Sequence, residues 1–185
     1  MSHVDDLQAV SVDEALVDVT SAVARVRRAK QLESGDRPLD SGYDPAKEFA
    51  ETLRTEVKNV TGCEISIGIA HNILLARLAT RRAKPAGSYH LLPENVAEFI
   101  APLDITDLWG FGYSTKQKAQ DKLGTTLLGE LAGKSKSVLS DALGKSTGET
   151  LYNAIRGIDH TKLESDKPRK SVSCEINVRV LPIYL

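Results

Sequence analysis

Cysteine is nearly absent from this chain: Cys63 and Cys174 are the only two in 185 residues, far apart and without a Cys-x-x-Cys spacing. That excludes a disulfide framework and a cysteine zinc site, and it fits a reducing compartment, cytosol or nucleus. The four histidines, His3, His71, His90 and His160, have no metal-ligand spacing with one another or with the cysteines. No apolar run of about 18 residues is present, and "MSHVDDLQAV" has neither the charged nor the apolar region of a signal peptide, so membrane insertion and secretion are not expected. A Gly-x-Ser-x-Gly nucleophile elbow and a GxxxxGK[ST] phosphate loop are also missing, which leaves acyl transfer and P-loop nucleotide hydrolysis without support.

What is there is a chain long enough for one ordinary domain or two small ones with a real core. Its net charge is −1, but the distribution is uneven. Residues 1–70 hold 13 acidic and 8 basic side chains, a balance of −5, and the remainder balances at +4. An acidic front and a basic back suit a metal site beside a phosphate-binding surface, although solvated faces produce the same asymmetry.

The pattern predicts two short strands, "LQAV" and "ALVDV", joined by "SVDE". A helix capped by Thr20 or Ser21 should follow to about Gln31, since Ala22, Val23, Val26 and Ala29 recur at helical spacing. "ESGDRPLDSGYDP" reads as an exposed loop. Pro45 should open a helix to about residue 60, with Phe49, Leu53, Val57 and Val60 as its apolar stripe and Gly62 at its C-terminal cap. "CEISIGIA" alternates as a strand whose small face, Ser66, Gly68 and Ala70, leaves room for a close neighbour. "ILLARLATRRA" after Asn72 is a helix, "SYHLL" a strand, and "PENVAEFIAPL" a short helix. Beyond residue 102 the character changes to short helices joined by glycine turns. Residues 160–171 read as a linker, and "VSCEINVRV" as the first strand of something further.

Three constellations could carry chemistry. Asp13 and Glu14 are adjacent, and on a regular strand their side chains would point to opposite faces. They converge only if "SVDE" is the turn of a hairpin, where paired hard oxygens suit Mg²⁺. On spacing alone, a solvated turn is the favoured reading. Second, "NILLARLATRRAKPAG" places Arg77 and Arg81 on one helix face, with Arg82 beside them and Lys84 at the end, and no acid lies between Glu64 and Glu94. A phosphate-neutralising cluster and a solvated face with cations at the helix C-terminus account for this equally well. Third, in "LWGFGYSTKQKAQDKL" a Gly-x-Gly turn, Gly110 and Gly112, precedes a helix with Lys116 and Lys118 close by. Free amides there could face a phosphate, and a tight helix-helix turn is the plainer reading.

The order of these motifs resembles that of the Y-family translesion DNA polymerases. "SVDEALVDVT" is similar to the family's second metal-binding motif and "SIGIAHNILLARLATRRAKPAGSYHLL" to the palm segment after it. "LWGFGYSTKQKAQDKLG" is similar to the thumb helix-hairpin-helix, and "RKSVSCEINVRV" to the start of the little finger. "NILLARLATRRAKP", with Ile73 where many branches have lysine, looks most like the deoxycytidyl transferase branch.

The resemblance implies an α+β fold: a partial polymerase palm with a mixed or antiparallel sheet over 1–102, a small all-helical thumb with a helix-hairpin-helix over 103–159, and a linker with a truncated first little-finger strand over 160–185. It implies two-metal insertion of dCMP opposite damaged or abasic template, with primer-template DNA and a deoxynucleoside triphosphate, dCTP preferred, as partners. Other replication and translesion proteins would be met through regions outside these residues, in the nucleus. Asp13 would bridge two Mg²⁺ ions and Glu14 would ligate the one near the primer 3′ hydroxyl. Lys84 would contact the triphosphate, Gly110, Gly112 and Lys116 would hold DNA, and Ser11 would support the turn. The roles of Arg77 and Arg81 stay open.

Departures from the family pattern shape a further expectation. No upstream metal-binding aspartate and no fingers precede residue 11, the branch's nucleotide-reading arginine has no counterpart, "NVRVLPIYL" leaves the pattern, and Trp109 stands where the family often has proline. The chain is therefore expected to be an internal fragment, inactive by itself. A non-catalytic DNA-binding or scaffold module of a repair protein is the alternative.

Overall fold

The computed structural model describes residues 4–35, 37, 38, 40–164 and 172–174. Strands β1 (Asp6–Ala9) and β2 (Ala15–Asp18) form an antiparallel hairpin in which Asp6 faces Asp18 and Ala9 faces Ala15. Helix α1 (Thr20–Ser34) follows, and α2 (Pro45–Thr61) packs against it. Strands β3 (Ile67–Ile69) and β4 (Ser88–His90) pair in parallel across α3 (Ile73–Ala83), as a right-sized crossover requires. A 3₁₀ turn (Pro93–Asn95) leads into α4 (Val96–Ile100), and a second (Ile105–Asp107) precedes α5 (Tyr113–Leu123). Helices α6 (Leu128–Ala132), α7 (Lys136–Leu143) and α8 (Lys145–Ile155) complete the described elements.

The α+β class holds, and among the described residues the strands form an antiparallel pair and a separate parallel pair. Local chemistry explains most boundaries. Asp44 caps α2 by accepting from the Ala46 and Lys47 amides, Pro45 takes the first helical position, and Gly62 closes the helix at φ 74°. Asn72 caps α3 through the Leu75 amide at 2.9 Å.

Two expectations are corrected, and a third falls outside the described residues. α1 runs three residues past Gln31, and neither Thr20 nor Ser21 caps it. Instead, Asp18 accepts from the Thr20 amide and hydroxyl, and Asp5 accepts from the Ser21 amide at 2.6 Å, so carboxylates satisfy the first turn's free donors. The strand expected over 63–70 shrinks to three residues, because the Ile65 carbonyl is taken by the Arg54 side chain at 3.0 Å and not by a neighbouring strand. The strand expected in "VSCEINVRV" lies outside the described residues except for 172–174, which are irregular.

The core centres on α3. Leu75, Leu78 and Ala79 form its buried stripe and join Leu91, Ile100, Ile105, Leu108, Leu128, Leu131, Leu139 and Leu151 in one continuous cluster that spans α3 to α8. Both ends of α3 are tied to later segments. At its start the Asn72 amide group donates to the Gly157 carbonyl at 2.7 Å, and the Leu74 amide donates to Asp159 at 3.0 Å. At its end Arg81 pairs with Asp107 at 2.9 Å. Because Arg77 and Arg81 lie off the buried stripe, this anchoring aims them at the hairpin turn and at the entry to α5.

Candidate active site

The connection between β1 and β2 is a tight turn over residues 10–14, closed by the amides of Val10 and Ser11, which both donate to the Glu14 carbonyl at 2.8 and 3.1 Å. It is exposed throughout, with the Val12 side chain fully in solvent. An apolar residue at the tip and two carboxylates beside it are a poor way to stabilise a strand, so the turn's chemistry needs another account. The Ser11 hydroxyl donates to Asp13 at 2.6 Å. That bond, then the turn's own amide, and then the positive charge of Lys84 hold the Asp13 carboxyl below its usual range. Asp13 is thus ionised well below neutral pH, as a hard-cation ligand must be.

Two cations from the α3 segment act on this turn, one through its charge and one by contact. Lys84, the residue that ends α3, contributes its charge to Asp13. Arg77 brings its Nε to 3.7 Å from Glu14, and its guanidinium lies over the Trp109 ring, 4.8 Å from the centroid. The turn, the α3 cations and the segment before α5 are therefore neighbours in space although distant in sequence.

In that segment Gly110 adopts φ 91°, a conformation that suits glycine, and the Gly112 carbonyl accepts from Thr115 and Lys116 to begin α5. Nothing lies within 4 Å of the position a Cβ would occupy on Gly110 or Gly112, and among the described residues neither amide has a backbone acceptor. Open amides at a helix start suit an anion. The element before this turn is a 3₁₀ turn rather than an α-helix, so the helix-hairpin-helix is asymmetric.

Lys116 does not stand free beside the glycines. Its ammonium is 3.0 Å from Asp104. Burial pushes the Asp104 carboxyl up, but the Thr106 and Thr126 hydroxyls, the Thr106 amide and Lys116 outweigh it and hold the group far below the usual carboxylate range. A carboxyl depressed on folding stabilises the native state above its unfolded pKa, and that contribution is lost as pH falls through the folded value. Asp104→Asn is therefore expected to lower the melting temperature at pH 7 and to flatten its decline below about pH 4. Thermal melts of both proteins from pH 7 to pH 3 check this.

The profile of the impB/mucB/samB family matches residues 2–81, and that of the DNA polymerase-iota thumb domain matches residues 106–159. The DNA repair protein rev1 of Schizosaccharomyces pombe is 38% identical over 173 residues, covering 94% of this chain and 17% of its own length. DNA polymerase IV of Francisella philomiragia is 34% identical over 174 residues, covering 94% of this chain and 44% of the relative. This chain belongs to the Y-family DNA polymerases. The fold agrees: the insertion ternary complex of Dbh DNA polymerase superposes with a TM-score of 0.68 at 23% identity, over 88% of this chain and 42% of that one. The chain spans less than half the length of these Y-family relatives.

Within this Y-family chain, the donor set at the turn fits a divalent hard cation: two adjacent carboxylates, Asp13 ionised, both exposed to take water and phosphate into the remaining positions. Among the described residues no group of three or more His, Cys, Asp or Glu side chains is placed to hold a metal. Sequence reasoning missed Asp104, Asp107 and the contact of Trp109. The first two carried a signal, since "DITD" is a capping box in which each carboxylate accepts from the other end of the turn. Trp109 carried none beyond its departure from the family pattern. No helix among the described residues is long and apolar enough to cross a membrane.

Proposed function

We propose that this chain is a partial palm (1–102), the helical thumb (103–159), and a linker with the first strand of the little finger (160–185) of a translesion DNA polymerase of the deoxycytidyl transferase branch. Such a polymerase inserts dCMP opposite damaged or abasic template in the nucleus. The likeness to rev1 supports both the branch and the compartment. The observation that carries the reading is the chain of contacts at the turn: the charge of Lys84 acts on Asp13, Arg77 stands beside Glu14, and the same Arg77 lies over Trp109, which precedes the open glycine turn at Gly110 and Gly112.

Each group has a task that its position supports. Asp13 and Glu14 hold Mg²⁺, with Ser11 fixing the Asp13 rotamer. When bound, two such ions supply activation of the primer hydroxyl and neutralisation of charge on the triphosphate. Lys84, whose field reaches Asp13, places a point charge beside the triphosphate and favours the negative charge that gathers on pyrophosphate. The amides of Gly110 and Gly112 hold a backbone phosphate of primer-template DNA. Lys116 adds charge from the first turn of α5, where Asp104 orients it.

A chimera tests the reading. Residues 4–164 replace the matching segment of S. pombe rev1, and the product is assayed on primed templates containing an abasic site. Insertion of dCMP in preference to the other three nucleotides is expected. A folded chimera that binds the primed template without inserting any nucleotide would instead favour a scaffold role.

A further inference from the structure

We propose that Arg77 is a positioning residue that couples the carboxylate turn to the thumb hairpin. Its functional meaning rests on reading Glu14 as a metal ligand, but the coupling stands on geometry alone. Arg77 is four-fifths buried, and its Nε, the atom nearest Glu14, is fully buried without a hydrogen-bond partner among the described residues. At 3.7 Å from Glu14 it sits just beyond hydrogen-bond reach, in an ion pair whose other member is half exposed. The same guanidinium lies over Trp109 within the range of a cation–π contact.

One planar group therefore faces a carboxylate of the turn and an aromatic ring that immediately precedes Gly110. α3 is held at both ends, at Asn72 and Leu74 by residues 157–159 and at Arg81 by Asp107, so the Arg77 backbone is anchored while its side chain spans both partners. A cation that draws Glu14 away leaves Arg77 with Trp109 alone, and the hairpin then feels what happens at the turn. Trp109 is 75% exposed, more than a packing role requires. Lysine would keep the ion pair and lose the planar stack, which separates coupling from simple charge.

Trp109 is the only tryptophan, so its fluorescence reads the hairpin directly. In the metal-free chain, Glu14→Gln is expected to shift Trp109 emission and lower its acrylamide quenching, because Arg77 is then left with the ring alone. Arg77→Met should instead raise the quenching, by at most about one third since the ring is already 75% exposed, and adding Glu14→Gln to it should change nothing more. Arg77→Lys should keep the melting temperature yet fail to restore the response to Glu14→Gln. The proposal is overturned if Glu14→Gln leaves Trp109 unmoved, or moves it equally in the Arg77→Met background. Mg²⁺ alone, with binding followed separately by Mn²⁺ competition in electron paramagnetic resonance, distinguishes the two readings. Binding that leaves Trp109 unchanged defeats the coupling and spares the metal site, whereas no binding with an intact Glu14→Gln response defeats the metal site and spares the coupling.

Discussion

Gly68→Ala is expected to cost about 3 kcal/mol of stability, because a Cβ at this position has nowhere to go. Built on the β3 backbone, it would lie 2.1 Å from the Thr80 amide nitrogen, 2.4 Å from the Ala76 carbonyl oxygen and 2.5 Å from the Thr80 hydroxyl. Two of these are backbone atoms of α3, and α3 is tied at both ends and carries the centre of the core. The helix can retreat only by opening the packing of Leu75, Leu78 and Ala79. For a chain of this length the loss corresponds to a fall in melting temperature of roughly 6–12 °C, read by circular dichroism or calorimetry. A melting temperature within a degree or two of wild type would mean that β3 and α3 are not in contact as described. Because α3 also carries Arg77 and Lys84, the variant should weaken any metal-dependent function of the turn as well.

Asp13→Asn should have the largest functional effect. The substitution keeps the size of the side chain and one oxygen that can still accept from Ser11, so the turn should survive and the melting temperature should hardly change. It removes the negative charge that Ser11, the turn's amide and Lys84 hold in the ionised form. A metal ligand supplies several kcal/mol of charge stabilisation in the transition state, and each 1.36 kcal/mol is about tenfold in rate. In the chimera with S. pombe rev1, insertion is therefore expected to fall on the order of a thousandfold. Glu14→Gln should fall less, since Glu14 is proposed to serve one ion and Asp13 two. Single-turnover insertion at saturating primer-template separates these from binding defects, and an Asp13→Asn chimera with near wild-type turnover would remove the carboxylate pair from the mechanism.

Much of this was legible in local sequence. Asp44, Pro45 and Gly62 bound α2, and Asn72 starts α3, because capping is a matter of a few neighbouring residues. The "SVDE" turn was legible because two apolar runs with a polar interruption can pair only as a hairpin. The small face at Gly68 signalled a close neighbour without naming it, and the structure identifies that neighbour as the chain's own α3. The Arg77–Arg81 pair shows where local reasoning stops. Helical spacing put the two on one side, but it could not tell a phosphate patch from a solvated face. The structure sends Arg81 to Asp107 and Arg77 to Glu14 and Trp109. Lys116 is a second instance: beside a Gly-x-Gly turn it looks free for phosphate, whereas Asp104 already holds it.

By itself the sequence determined the order of elements, the hairpin that carries Asp13 and Glu14, the glycine turn before α5, and the family these motifs spell out together. Those features depend on spacing and on residue type within a few positions. Tertiary structure decided which charges meet. Whether Arg77 neutralises Glu14, whether Lys84 reaches Asp13 and whether Trp109 lies under a guanidinium depend on how α3 is anchored between residues 157–159 and Asp107. Ion pairs and stacking act over a few ångströms, and only the packed core brings residues so far apart along the chain within that range.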